Sequence, residues 1–158
     1  MEWEEFKTNC EVLSLDESAL LRTCFIDEFV DTTYEGYKKH ILTREDYIDG
    51  RCYTGYLWDY LKEKSVVKEN YIERLVDVAK YIYVMWDVHT CERIYIKNYW
   101  KFGKENIVKI NIEMFLKGEE FFPEDIYLFD DTLSWYFIKT HEYTQGKKEK
   151  RYCLKGGL

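Results

Sequence analysis

The segment FFPEDIYLFDDTLSWYFIKTHEY, residues 121–143, indicates the fold of this chain more directly than any other stretch. It contains the only proline of the sequence, Pro123. Residues 126–129 and 134–140 are rich in β-branched and aromatic side chains, and the turn-forming residues Asp130, Asp131 and Thr132 lie between them. Two strand-forming runs around a polar break predict a β-hairpin.

Alternation of side chains predicts further strands on both sides of this hairpin. Residues 81–88 alternate between two largely apolar faces, a returning strand is expected at 93–96, and residues 107–112 alternate again. A basic turn at 145–150 leads into a last predicted strand at 151–154. The C-terminal half is therefore expected to be an antiparallel sheet.

Helical spacing dominates the first 80 residues. Ser14 and Glu17 have the spacing of a capping box, and apolar residues then recur at helical intervals to about His40, which predicts one long helix. A short helix is predicted at 56–64 and another at 68–80, the latter with an apolar stripe of Ile72, Leu75, Val76 and Ala79. We expect an α+β fold, with N-terminal helices packed on one face of a C-terminal antiparallel sheet.

Length and charge limit the function classes. A chain of 158 residues fits a single domain, here with a helical half at about 1–80 and a sheet half at about 81–158. The net charge of -7 argues against nucleic acid, whose phosphates require a basic face, and suits a basic protein partner.

Cysteine usage and hydropathy indicate the compartment. The five cysteines are an odd number without a CxxC pair, which favours reduced thiols over disulfides or a zinc ribbon. The longest apolar run, residues 81–86, is too short to span a bilayer. We expect a cytoplasmic protein that does not insert into membranes and needs no cofactor.

An aromatic loop is the main candidate for binding. Tyr99 and Trp100 lie in the polar segment NYWKFGKEN, residues 98–106, where no periodicity assigns them to the core. Exposed Tyr and Trp beside acids are typical of protein-binding hot spots. The predicted partner-binding residues are Tyr99, Trp100, Glu119, Glu120, Asp130 and Asp131. A loop that binds sugar and a loop that folds back onto the sheet stay alternatives.

Two chemical sites are alternatives to binding. Asp87 and His89 project from one strand face and, with His141, could hold a divalent metal for hydrolysis. Asp130 and Asp131, near Glu124 and Asp125, could form a paired-carboxylate site, but adjacent aspartates favour turn hydrogen bonds instead.

The segments FPEDIYLFDDTLSWYFIKTHE (122–142), RYCLK (151–155) and YVMWDVH (83–89) resemble small acidic bacterial proteins that serve as immunity partners in toxin–immunity systems. The resemblance implies a cytoplasmic protein that binds and neutralises a secreted toxin domain. It assigns no functional residue.

The sequence thus predicts a non-enzymatic protein-binding module, most specifically an immunity protein that acts on a basic toxin domain. The alternatives are a small metal-dependent hydrolase using Asp87, His89 and His141, and a structural or regulatory interaction domain without a toxin.

Overall fold

The computed structural model of the chain describes residues 1–43, 45–47, 50–52, 55–88, 97–144 and 148–154. Its α-helices are α1 (Trp3–Phe6), α2 (Leu15–Phe29), α3 (Glu35–Tyr37) and α4 (Ile112–Lys117). A π-helical turn follows α3 at Lys38–Leu42, and 3₁₀ helices occupy Lys7–Asn9, Leu57–Tyr60, Glu69–Asp77 and Glu119–Phe121.

Within these described ranges, nine strands form two antiparallel sheets. They are β1 (Cys10–Val12), β2 (Glu45–Tyr47), β3 (Gly50–Cys52), β4 (Ser65–Val67), β5 (Tyr81–Met85), β6 (Val108–Asn111), β7 (Ile126–Phe129), β8 (Tyr136–Thr144) and β9 (Lys148–Leu154). Seven of them make the main sheet, in the order β1-β6-β5-β7-β8-β9-β4, while β2 and β3 pair with each other.

The predicted hairpin is confirmed at the centre of the main sheet. Strands β7 and β8 pair with Leu128 opposite Phe137, and β7 also pairs with β5. The expected strand at 93–96 lies outside the described residues, as does part of the basic turn at 145–150. Both edge strands, β1 and β4, come from the first 80 residues. The N-terminal half of the chain is therefore not purely helical.

Alternation along the central strands gives the sheet two apolar faces. On one, the α2 face, the ring of Phe25 from α2 lies 5.5 Å from that of Tyr127 and 5.1 Å from that of Phe129. On the other, the α4 face, Leu128 packs in one cluster with three residues from helical segments. They are Phe6 of α1, Leu75 of the 3₁₀ helix Glu69–Asp77, and Phe115 of α4. The α+β class is confirmed, and helical segments cover both faces of the sheet rather than one.

The first long helix begins as predicted but ends early. The Ser14 hydroxyl accepts from the Glu17 N–H, and the Glu17 carboxylate accepts from the Ser14 N–H, both at 3.1 Å. The helix ends at Phe29, not near His40, because Val30 forms a β-bridge with Leu61. The Asp31 side chain then accepts from the Thr33 N–H at 3.0 Å, a local bond that competes with helical hydrogen bonding.

The segment predicted as a helix at 68–80 is a 3₁₀ helix over Glu69–Asp77. With three residues per turn, Ile72 and Leu75 align and are buried, whereas Val76 leaves the stripe and is 42% exposed. The expected stripe is therefore correct for its i, i+3 pair and wrong for the i+4 position.

Two cysteine side chains are described, and both Cys10 and Cys24 are free thiols. Burial raises the pKa of the Cys10 thiol to about 11, so it stays protonated and unreactive at neutral pH. None of the helices in the described ranges combines the length and the apolar character that crossing a bilayer requires.

Candidate functional site

Adjacent aromatic residues of the 98–106 loop have opposite environments. Trp100 is 69% exposed, whereas Tyr99 is 4% exposed and donates its hydroxyl to the Asp87 carbonyl oxygen at 2.7 Å. The expectation that both lie on a binding surface is therefore wrong for Tyr99, which anchors the loop to the end of β5. Phe102 is also buried, and it stacks on Phe122 with ring centroids 4.7 Å apart.

Polar contacts fix both ends of this loop. Asn98 adopts the left-handed backbone conformation, φ 65°, and its side-chain amide donates to the carbonyl oxygens of Glu120 at 2.6 Å and Phe122 at 3.2 Å. At the other end, the Trp86 indole N–H donates to the Lys104 carbonyl oxygen at 3.0 Å. Trp100 therefore projects from a loop that the surrounding structure holds in place.

Trp3 of α1 is a further support that the sequence did not single out. Its ring meets the ring of Phe102 edge-on at 5.2 Å. The Lys101 ammonium lies 4.9 Å from the ring centroids of both Trp3 and Phe121, so a cation–π contact joins α1 to the loop. A tryptophan three residues from the N-terminus was the only sequence signal for this role.

Only one of the two predicted acidic residues near the loop is exposed and outside an ion pair with Lys139. Glu119 forms an ion pair with Lys139, Nζ to Oε1 2.6 Å, whereas Glu120 is exposed. The loop segment itself supplies Lys101 and Lys104, and Lys97 immediately precedes it. Charge around Trp100 is thus mixed, and the expectation of aromatic residues surrounded by acids is only partly met.

Asp130 and Asp131 lie at the other end of β7, away from the Trp100 loop. Asp130 is 8% exposed, and its carboxylate accepts from the Thr132 N–H at 3.0 Å and from the Thr132 hydroxyl. This is the turn role that adjacent aspartates favour. The exposed Asp131 borders a shallow cleft of about 230 Å³ with Tyr81 and Lys109. The six predicted residues therefore do not form one surface.

Of the predicted metal ligands, Asp87 and His141 lie in the described part of the chain, and each is bonded to other residues. Asp87 is buried, and its two carboxylate oxygens accept from the Leu57 N–H at 3.0 Å and the Tyr127 hydroxyl at 2.6 Å. His89 lies outside the described residues. Within the described ranges, no group of three or more His, Cys, Asp or Glu side chains is arranged to hold a metal ion.

His141 instead pairs with Asp125, which precedes β7. The His141 Nδ1 lies 2.8 Å from Asp125 Oδ2, and the His141 backbone N–H donates to Asp125 Oδ1 at 2.6 Å. The two residues are 16 positions apart and meet only through the β7–β8 pairing. Sequence reasoning considered each of them for a different site and so missed this pair.

Aromatic rings and a second carboxylate surround the pair. Tyr56 stacks on Trp58 at 4.2 Å, and the Tyr56 ring centroid lies 5.4 Å from that of His141. The Trp58 indole N–H donates to Glu142 Oε1 at 3.2 Å. We name this group, Tyr56, Trp58, Asp59, Asp87, Asp125, Tyr127, His141 and Glu142, the sheet-end cluster.

Burial and like charges shape the titration of the cluster. Burial raises the pKa of the Asp125 carboxyl even though His141 opposes this shift. Burial, and then the Glu142 charge, raise the pKa of Asp59. Burial disfavours the His141 imidazolium, but the hydrogen bond and charge of Asp125 outweigh it and raise the His141 pKa. Asp59, Asp125 and His141 therefore hold their protons more tightly than the same groups do in water.

Comparisons with protein-family models, curated proteins and solved structures gave no match to this chain. The geometry of its own residues is therefore the basis for the functional assignment.

Proposed function

We propose that this chain is a non-enzymatic protein-binding module that inserts Trp100 into a partner. The observation that carries the proposal is the 69% exposure of Trp100 on a loop whose neighbours Tyr99 and Phe102 are buried. More specifically, we propose an immunity protein of the bacterial cytoplasm that neutralises a basic toxin domain.

The structure of the loop makes Trp100 a suitable anchor. An exposed tryptophan forgoes a large hydrophobic gain until a partner covers it, and tryptophan is enriched among binding hot spots. Because Tyr99, Asn98 and Phe102 already hold the loop, binding would not have to order it. Pre-ordering of this kind lowers the entropic cost of association.

The net charge of the whole chain supports a basic partner. The net charge of -7 would attract a basic protein over several ångströms and speed encounter at low salt. Since charges beside Trp100 are mixed, we assign steering to the overall field and affinity to the tryptophan. Raising the salt concentration should therefore slow association more than it speeds dissociation.

The test is capture of the partner from the native host, followed by variant binding. Tagged protein purified at low salt would be weighed intact by native mass spectrometry. A stoichiometric basic toxin domain supports the immunity assignment, whereas another protein would favour a regulatory interaction domain. A lone chain with one or two bound metal ions would favour the hydrolase alternative.

Trp100→Ala tests the anchor against a matched control. We expect it to weaken binding of the captured partner by about 30-fold, equivalent to about 2 kcal/mol. Leu20→Ala changes a side chain of similar exposure, 66%, on α2 and should bind as the wild type does. Calorimetry would measure both, with circular dichroism to confirm the folds. Wild-type affinity in folded Trp100→Ala would remove this loop from the interface.

A further inference from the structure

One carboxylate holds both the main chain and the side chain of His141. Asp125 Oδ1 accepts the His141 backbone N–H at 2.6 Å, and the Asp125 carboxylate lies 2.8–3.0 Å from Nδ1. The pairing register of β8 with β9 shifts between Lys139 and Tyr143, which marks a bulge around His141. Bulges leave residues without regular ladder partners, so a side chain that replaces those contacts fixes the local conformation.

The bulge also holds the 3₁₀ helix Leu57–Tyr60 in place. Glu142, the residue after His141, accepts the Trp58 indole N–H at 3.2 Å, and the Trp58 backbone N–H donates to the Tyr127 hydroxyl at 3.2 Å. The ring centroid of His141 lies 6.0 Å from that of Trp58. A change at the bulge should therefore reach Trp58.

We propose that the Asp125–His141 pair is a proton-sensitive clasp that fixes the β8 bulge and the Tyr56–Trp58 ring pair while His141 is charged, and that loosens when His141 becomes neutral. The clasp does not depend on the proposed role of Trp100.

Acids outnumber cations among the charged side chains described around His141, and Asp125, Glu142 and Glu124 favour its protonated form. The acids are Glu124 and Asp125 before β7, Glu142 on β8, Asp59 on the neighbouring 3₁₀ helix and Asp87 after β5. The phenols are Tyr56 and Tyr152. The cations are Lys64, whose charge acts on Asp59, and Arg151, whose guanidinium lies 3.5 Å from the Thr140 carbonyl oxygen. Loss of the imidazolium charge leaves more carboxylates than cations in this group.

The direction of the pH effect follows from these charges. The His141 pKa is raised on folding, so its stabilising contribution is complete below the unfolded value of 6.5 and is lost as pH rises through the folded value. The Asp125 pKa is raised as well. At low pH the Asp125 carboxylate therefore becomes protonated, and the ion pair is lost through Asp125 and not through His141. The clasp is closed between the two raised pKa values and opens above that of His141.

Amide hydrogen exchange tests the clasp, with an internal control at the other end of β7. The His141 N–H donates to Asp125, and the Thr132 N–H donates in the same way to Asp130, which pairs with no histidine among the described residues. Because base catalysis accelerates both amides alike, the ratio of their protection factors isolates the clasp. We expect His141 to lose at least tenfold in protection relative to Thr132 as pH passes the His141 midpoint. A constant ratio would overturn the proposal.

A pH titration by nuclear magnetic resonance would show whether the change reaches Trp58. In the wild type, the Trp58 indole N–H and the Glu142 amide should shift with the His141 midpoint. Asp125→Asn should lower that midpoint and abolish the coupled shifts, whereas Asp130→Asn should leave both unchanged. Trp58 and Glu142 signals that do not follow His141 in the wild type would contradict the clasp, even if Asp125→Asn failed to fold.

Discussion

The two ends of β7 each carry an aspartate that accepts a backbone N–H, but the two bonds differ in range. Asp130 bonds Thr132, two residues on, and closes a turn of its own hairpin. Asp125 bonds His141, 16 residues on, and connects to a cluster that also includes Trp58 and Asp87. The same side chain thus stabilises a local turn at one end and a tertiary arrangement at the other.

The loss of stability on substitution should therefore depend on which end of β7 is disturbed. In the Asp130 turn, Thr132 is exposed, so its N–H can exchange the bond to Asp130 for one with water. A buried carboxylate such as Asp87 cannot, because its alternatives were removed on folding. We therefore expect substitutions at the Asp125 end to have larger effects than equivalent ones at the Asp130 end.

Tyr127→Phe should give the largest effect. It removes the hydroxyl that donates to Asp87 Oδ2 at 2.6 Å and leaves that buried carboxylate oxygen one donor short. We expect a loss of about 2–3 kcal/mol in the free energy of unfolding, measured by urea denaturation. Tyr34→Phe, at a tyrosine that is 52% exposed, should change it by less than about 0.5 kcal/mol. If the two variants unfolded at the same urea concentration, the buried Tyr127 hydroxyl would contribute no more to stability than the exposed Tyr34 hydroxyl.

Asp130→Ala should have an intermediate effect. It removes the acceptor for the Thr132 N–H, so we expect a loss of about 1 kcal/mol in the same assay. Asp130→Asn should lose less, since the amide oxygen still accepts. A loss as large as that of Tyr127→Phe would show that the turn is not a merely local structure.

Trp100→Ala should have the smallest effect on stability. The side chain is exposed, so we expect a change within about 0.5 kcal/mol, whereas Tyr99→Phe, which loses the hydroxyl bond to the Asp87 carbonyl, should cost about 1 kcal/mol. Thermal unfolding of the two variants gives the comparison. A strongly destabilised Trp100→Ala would mean that Trp100 supports the fold and is not reserved for a partner.

Local patterns in the sequence predicted much of the fold. The capping box of Ser14 and Glu17, the β7–β8 hairpin and the Asp130 turn depend on residues within a few positions of one another. The prediction of one long helix to His40 was wrong because a distant residue, Leu61, pairs with Val30. The candidate site was harder to predict, since exposure of an aromatic residue in an aperiodic loop depends on what the loop packs against.

Local sequence patterns are sufficient to predict the α+β class, the central antiparallel hairpin and the start of the first helix, because periodicity, capping and turn formation are short-range effects. Tertiary packing, by contrast, buries Tyr99 and leaves Trp100 exposed. It also brings Asp125 to His141, 16 residues away. These outcomes depend on strand register and on packing between distant segments, which no local pattern encodes.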